Sequence, residues 1–412
     1  MRSVHIGICG LGTVGAGVFN VLTRNSNVIN ARANCGIEIL QVGARRNNPN
    51  CDTKQIDVQR DIFEVAKNPQ VDIVVELIGG TTVARELVLT ALEHGKHVVT
   101  ANKALIAEHG MEIFAIAASK GLVVAYEAAV AGGIPIIKSL REGLAANRIN
   151  WIAGIINGTT NFILTEMDSK GRDFADVLAE AKDRGYADAD PTFDVEGIDA
   201  AHKLVILASL AFAKPLSLDG LFTDGITRLE TQDVVYAREL GYAIKHLGIA
   251  RLSEQGVELR VHPTLVPQDS LIAGVNDVAN AVMVNADAVG STLFYGPGAG
   301  SEPTASAVIA DIVDLARTLN SDSKTRVPLL GRDLELLQKQ AIIPIDEIKT
   351  SFYMRFSALD KPGVLSEITK IMADSGISIE AMIQKEQPAG EDFVNVIILT
   401  NVTQEKILSG AL

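Results

Sequence analysis

An α/β fold in three parts is predicted for this chain of 412 residues, on three observations. A strand runs directly into a glycine turn and a helix within residues 4–23; strand-like and helix-like stretches then alternate through the middle of the chain; and a new strand–turn–helix–strand pattern starts after a linker near Pro344. The units expected are residues 1–135, completed by a returning segment at about 300–340, residues 136–300, and residues 350–412.

The first unit begins with the loosely alternating strand Val4–Cys9, followed by Gly10-Leu-Gly12-Thr13-Val14-Gly15 and a helical run to Thr23. The first two glycines permit a tight turn and a close backbone approach to a pyrophosphate. The third lets the helix pack on the sheet, and the anion rests on the helix N-terminus. With these flanks the motif reads as the start of a Rossmann dinucleotide-binding domain, with Gly10, Gly12, Thr13, Val14 and Gly15 around the cofactor. The second strand, Glu38–Val42, ends in Gly43-Ala-Arg45-Arg46, where an acid would suit a ribose 2′-hydroxyl. Two guanidiniums there favour a 2′-phosphate, hence NADP over NAD, unless they are solvated loop residues.

Val71–Gly80 reads as a third strand, a helix follows from Ala84 to Glu93, and His97–Thr100 makes a short buried strand. Lys103 stands just past its carboxyl end, the edge where open parallel sheets place ligands. It is read as facing cofactor and substrate, against the plainer reading of a surface charge at a helix start. Val123–Glu127 is another strand. The bend after it, through Val130, Gly132 and Ile134, is either a simple turn or, with Glu127, a set of hard oxygen donors for a small cation.

In the second unit, the strand Ile149–Ile156 leads into Asn157-Gly-Thr159-Thr160-Asn161, residues that cap a helix or hold a ligand carboxylate on free N–H groups. A helix from Phe174 to Arg184 precedes the acid-rich stretch Gly185–Lys203, with Asp188 and Asp190 in its loop. That loop passes into a helix whose continuation, Leu204–Phe212, is apolar on every side and belongs inside the protein. Glu196, Asp199 and Lys203 fall at spacings of three and four, on one face of that helix. A surface ion pair is the plain reading. The apolar continuation argues instead for a stripe lining an internal cleft, where a partly desolvated ammonium moves protons. Acids there suit a substrate ammonium, and a lysine protonates a carbonyl oxygen as hydride arrives. Leu271–Val284 is expected to return towards the sheet. Phe294–Gly300 then makes a second glycine turn opening a helix from Thr304 to Leu319, which closes the cofactor unit with Gly298 and Gly300 near the nicotinamide.

Composition narrows the classes. A net charge of −13 repels polyanions, so no nucleic-acid partner is expected. Cys9, Cys35 and Cys51 form neither a disulfide framework nor a zinc pattern, which points to a reducing cytoplasm. No export signal and no membrane span are expected.

Taken together, Gly10–Gly15, Thr100–Ala107, Tyr126–Pro135, Asn157–Thr160, Gly185–Lys203 and Tyr295–Thr304 resemble the homoserine dehydrogenases. The resemblance implies NAD(P)-dependent interconversion of L-aspartate 4-semialdehyde and L-homoserine, on the route to threonine, methionine and isoleucine. The middle unit would then be the α/β catalytic and dimerisation domain. The implied catalytic lysine is Lys203, paired with Asp199, and the second active-site lysine is Lys103. Substrate contacts fall on Asp188, Asp199, Gly185, Thr159 and Glu196, and cofactor contacts extend to Lys103, Gly185 and Gly300. At Asp188 the family usually has Glu, one methylene longer. The family's monovalent cation site, usually sodium, maps to Glu127 with the carbonyls of Val130, Gly132 and Ile134.

The tail, with Phe352–Leu359 as strand, an Asp360-Lys-Pro-Gly363 turn, a helix, then Gly376-Ile-Ser-Ile and a strand at Asp392–Thr400, resembles an ACT domain. That is a ferredoxin-like βαββαβ amino-acid-sensing module, here with its last elements cut short. It implies either a dimerisation sheet without ligand or threonine feedback, the effector bound near Asp360, Gly363 and Gly376 across a pair of modules. A homodimer or homotetramer is implied as well. The residues bear on two other functions. An acyl-forming semialdehyde dehydrogenase needs a thiol nucleophile, and no cysteine follows Cys51. A catalytically weak cofactor-binding sensor is the alternative that the Asp188 departure favours.

Overall fold

Short β-branched runs separated by helices can bury both faces of a strand only in a parallel sheet covered on each side. The computed structural model, which describes residues 3–319, 326–385 and 392–412, has such a sheet in its first unit. Residues 320–325 of the expected returning segment lie outside the described residues. The chain runs β1 (Val4–Cys9), α1 (Thr13–Arg24), α2 (Ser26–Ala33), β2 (Ile37–Gly43), β3 (Asp57–Gln59), α3 (Ile62–Lys67), β4 (Ile73–Glu76), α4 (Thr82–Glu93), β5 (His97–Thr100), α5 (Lys103–Ser119) and β6 (Val124–Ala125). The strands lie in the order β3-β2-β1-β4-β5-β6, all parallel. The direction of winding reverses between β1 and β4, and the crevice outside their carboxyl ends is where such sheets bind ligands. The expected third strand is shorter than its apolar run: it stops at Glu76, and Gly79 and Gly80, at φ +74° and +73°, turn the chain away.

The second unit comprises α6 (Ile136–Lys138), β7 (Ile149–Ile155), α7 (Gly158–Lys170), α8 (Phe174–Asp183), α9 (Thr192–Val195), α10 (Ile198–Phe212), β8 (Phe222–Thr223), α11 (Thr231–Glu239), β9 (Tyr242–Ser253), β10 (Gly256–Pro267), β11 (Ala279–Ala286) and β12 (Gly290–Pro297). Its sheet has the order β12-β11-β7-β9-β10-β8 and is antiparallel apart from the short β8–β10 pair. Helix α10 lies between the two units, against α5 on one side and β9 and β10 on the other, which is why its stretch from Leu204 to Phe212 is apolar all round.

The segment Leu271–Val284 does not return to the first sheet. Its ordered part is β11, paired with β7 and β12 in the second. The chain reaches back at two places: α12 (Ser301–Thr318) packs along α1 so closely that a Cβ on Gly17 would lie 2.4 Å from the Ser301 carbonyl oxygen, and after it Arg326 donates to the Gly121 carbonyl and the Leu329 carbonyl accepts from the Tyr126 hydroxyl.

The third unit has a two-strand pair, β13 (Lys349–Thr350) with β17 (Thr403–Gln404), and a three-stranded antiparallel sheet. That sheet is β14 (Tyr353–Leu359), β16 (Phe393–Thr400) and β15 (Ile379–Gln384), accompanied by α13 (Val364–Asp374) and α14 (Glu405–Ala411). It docks on α11, where the Asp233 carboxylate accepts from the Tyr353 hydroxyl at 2.8 Å and from Arg355 Nε at 2.8 Å.

Candidate active site

The crevice at the winding reversal opens into a cavity of about 840 Å³ lined by Gly10, Gly12, Arg45, Arg46, Arg60, Ile78 and Gly79 among others. Two glycines of the turn are there for space. Gly10 has φ +103°, and a Cβ on it would meet the Leu77 carbonyl oxygen at 2.5 Å; one on Gly15 would meet the Gly10 carbonyl oxygen at 2.0 Å. Gly12 caps α1 and has no side chain to occupy the first free N–H groups, so the turn of Thr13, Val14 and Gly15 offers them to an anion. This cradle fits a dinucleotide pyrophosphate. Arg60 donates to the Ala44 carbonyl and to Asn47, and Asn48 donates to the Leu11 carbonyl, so the loop bearing Arg45 and Arg46 is tied to the glycine turn. Gly300 caps α12, and Ser301 beside it donates to the Thr13 carbonyl at 2.8 Å, which brings the second glycine turn to the start of α1.

Asp199 and Lys203 are four apart on α10, and Lys103 is the first residue of α5. Asp199 Oδ2 lies 2.6 Å from Lys203 Nζ and Oδ1 lies 3.0 Å from Lys103 Nζ. Lys203 also donates to the Ile156 carbonyl. The expected stripe of three does not form. Gly197 adopts φ +82° and breaks the chain between α9 and α10, leaving Glu196 on the earlier turn, where it accepts from Thr227. The places next to the Asp199 carboxylate go instead to Lys103 and to Asn157, whose amide donates to Asp199 at 2.9 Å and to Asp194 at 2.7 Å. Asn157 itself is fixed as the cap of α7, its oxygen accepting from the Thr160 N–H.

Burial alone would raise the Asp199 carboxyl, but the two ammoniums hold it well below the usual carboxylate range. Burial pulls Lys203 below its ordinary value, and the like charge of Lys103 adds to this against the attraction of Asp199. For Lys103 burial acts downward too, yet Asp199, Asp194 and Asp188 together raise it. The two lysines are thus inequivalent: Lys203 gives up its proton more readily, and Lys103 stays charged. Burial raises Asp194.

Gly185 ends α8 at φ +72°, and the exposed loop beyond it carries Asp188, which acts on Lys103 through its charge. Thr159 is buried and its hydroxyl donates to the Tyr186 carbonyl at 2.6 Å, so it anchors this loop. Glu127 is buried beside Asp311, and its two carboxylate oxygens accept from the Ile137 and Lys138 N–H groups. Burial, with the neighbouring carboxyl as a further cause for Asp311, pushes Glu127 up to about 7 and Asp311 up to about 8. In the bend between Val130 and Ile134, Ala131 and Gly132 have φ +55° and +44°. Two buried carboxyls with too little positive charge, beside a bend of carbonyls, fit a small hard cation. The Ile134 carbonyl already accepts from the Ile136 N–H.

In the third unit, Gly363 lines a cavity of about 130 Å³ with Lys361, Gln384 and Val394, and Asp360 accepts from Gln384. Gly376 sits beyond the other end of α13, a helix of 11 residues and so about 16 Å long at 1.5 Å per residue. Within one module, therefore, the three expected effector residues do not converge.

Residues 10–127 match the NAD-binding domain of homoserine dehydrogenase, 135–313 match the homoserine dehydrogenase family, and 352–412 match the ACT domain. The chain is 60% identical to the homoserine dehydrogenase of Pseudomonas aeruginosa, covering 100% of this chain and 95% of that protein. The crystal structure of a homoserine dehydrogenase from Thiobacillus denitrificans superposes with a TM-score of 0.94 at 54% identity, over 100% of this chain and 94% of that one. A hyperthermophilic archaeal homoserine dehydrogenase in complex with NADPH aligns at 25% identity and a TM-score of 0.65, over 78% of this chain and 99% of that one. With the nucleotide-binding unit, the middle unit and the tail each matched, the chain belongs to the homoserine dehydrogenase family, NAD(P)-dependent oxidoreductases, and carries a C-terminal ACT domain.

Proposed function

We propose that the cluster around Asp199 is the centre at which L-aspartate 4-semialdehyde is reduced reversibly to L-homoserine. The observation that carries this reading is the single buried carboxylate bonded to two lysines of unlike proton affinity. The nucleotide, when bound, supplies the hydride to the aldehyde carbon. Lys203 gives its proton to the carbonyl oxygen as that oxygen becomes an alkoxide, and Lys103 stabilises the developing charge without releasing its own proton. Asp199 holds both ammoniums in place, and Asn157 holds Asp199. Asp188 and Asp194 supply the negative charge a substrate ammonium needs. Following nicotinamide absorbance with homoserine and either NADP or NAD tests this; no turnover with either nucleotide sinks it.

NADP is the preferred nucleotide on the strength of Arg45 and Arg46 at the cavity wall, and an archaeal relative holds NADPH. A sodium ion would sit by Glu127 and the bend through Val130, Gly132 and Ile134. The outer face of the second sheet carries half-buried Trp151, Ile249, Met283 and Leu293, apolar surface suited to a second copy in a homodimer or homotetramer. Threonine is the effector proposed for the ACT domain. The cytoplasm is the proposed location: no helix among the described residues is long and apolar enough to cross a membrane, and the cysteines are free.

A further inference from the structure

Glu76, the last residue of β4, is fully buried at the carboxyl edge of the first sheet, in register with Cys9 on one side and Thr100 on the other. Its Oε1 accepts from the N–H groups of Ile78 at 2.9 Å and Gly79 at 3.2 Å, residues that line the nucleotide cavity. Its Oε2 accepts from the Thr100 hydroxyl at 2.6 Å. The Thr100 oxygen in turn accepts from the Asn102 N–H at 3.0 Å, which commits the hydroxyl proton to Glu76. Asn102 caps α5, accepting from the Leu105 N–H, and its amide donates to the Gly80 carbonyl at 2.7 Å. The residue after Asn102 is Lys103.

Burial pushes the Glu76 carboxyl upward, while these hydrogen bonds oppose the rise. A carboxylate buried this deeply is costly, and an apolar residue would serve a strand end better. What the carboxylate does here is join two pieces of chain that meet different reactants. One arm shapes the 77–80 loop under the nucleotide. The other fixes the first turn of α5, and with it the origin of the Lys103 side chain.

We infer that Glu76 is a positioning residue that holds the nucleotide-contacting loop and Lys103 in register, acting on Lys103 through Thr100 and Asn102. This rests on the proposed role of Lys103. A misplacement of the order of 1 Å between reacting groups costs on the order of a hundredfold in rate, so a rigid link between these two supports has a direct effect on turnover.

The test uses the full-length protein and two readouts: affinity for the nicotinamide nucleotide, from its bound fluorescence, and kcat for homoserine oxidation. Thr100→Val cuts the α5 arm alone, so affinity is expected to stay within about threefold of the parent while kcat falls about tenfold or more. Glu76→Gln keeps an oxygen for the loop N–H groups and turns an NH₂ towards the Thr100 oxygen, which has a lone pair left to accept it, so affinity is expected to be retained with a smaller loss of kcat than in Thr100→Val. Glu76→Ala is expected to lose both. In a Lys103→Ala background, Thr100→Val is expected to lower kcat no further. An equal loss from Thr100→Val in both backgrounds, or a loss of nucleotide affinity matching that of kcat, overturns the inference. Parental kcat in Lys103→Ala alone overturns the underlying reading of Lys103, and this inference with it.

Discussion

Asp199 gives one carboxylate oxygen to each of two lysines, Oδ2 to Lys203 at 2.6 Å and Oδ1 to Lys103 at 3.0 Å. The Lys203 side chain is 12% exposed and that of Lys103 34%; this difference, with the further acids Asp194 and Asp188 acting on Lys103, supports the proposed division into a proton donor and a fixed charge. Lys203→Ala is therefore expected to lower kcat by about 10²–10⁴-fold with nucleotide affinity unchanged. Steady-state kinetics beside a binding titration decides, and near-normal turnover would rule the assignment out.

The pH dependence follows from the same geometry. In the proposed scheme aldehyde reduction needs Lys203 protonated, and burial sets its affinity for the proton below the ordinary lysine value. The reduction rate is expected to fall as pH rises through that lowered value. Asp199→Asn removes the anion that opposes burial, so the fall should move to lower pH. A shift to higher pH contradicts the scheme.

Asn157→Ala leaves the half-buried carboxylate of Asp194 and the buried one of Asp199 each short of a donor. The expected loss of stability is about 1–3 kcal/mol, read from denaturant midpoints at constant slope. Turnover should fall as well, since Asp199 then has freedom to turn.

Arg45→Ala and Arg46→Ala should raise KM for NADP by about tenfold or more each and leave KM for NAD nearly unchanged. Equal effects on both nucleotides would assign these guanidiniums to the pyrophosphate or to solvent instead.

Glu127, at about 7, and Asp311, at about 8, bind protons more tightly folded than the ordinary carboxyl value near 4 allows when unfolded. Their contribution to stability is complete below about pH 4 and is lost as pH rises through 7 and 8. Unfolding midpoints in a bulky organic cation should accordingly fall between mildly acidic and mildly alkaline pH. Sodium should offset the fall, and Asp311→Asn should flatten it.

Arg355→Ala removes from Asp233 a partner that a buried carboxylate needs, and it also breaks the 2.9 Å ion pair with Glu230. Helix α11, which carries Asp233, packs on α7, whose cap is Asn157. Any response of turnover to threonine is expected to weaken in this variant, while kcat without threonine stays within about twofold.

The glycine turn, the Asp199–Lys203 pair and Lys103 were legible because each rests on a local pattern or on a strand end. Glu196 was misplaced because periodicity continues a helix through Gly197, whose left-handed backbone starts a new one. For Asn157 the sequence allows a helix cap or a ligand holder, and it is a cap. Its second task was invisible, because the carboxylates it bonds lie 37 and 42 residues further on. The long hairpin of β9 and β10 escaped notice for a related reason: Lys245, His246, Glu258 and Arg260 are buried polar residues that interrupt the apolar alternation.

The packing of α12 on α1 bears on how the protein is made. Ala305, Val308, Ile309 and Ile312 share a core with Val18, Phe19 and Leu22, so the nucleotide lobe is covered by a helix some three hundred positions downstream. A ribosome that has finished the first six strands has not yet begun that cover. At about 5–20 residues per second, the wait is on the order of tens of seconds, with α1 presenting bare apolar surface. The lobe therefore cannot be excised by cutting the gene after residue 135, and whatever shields nascent chains must serve this one until α12 emerges.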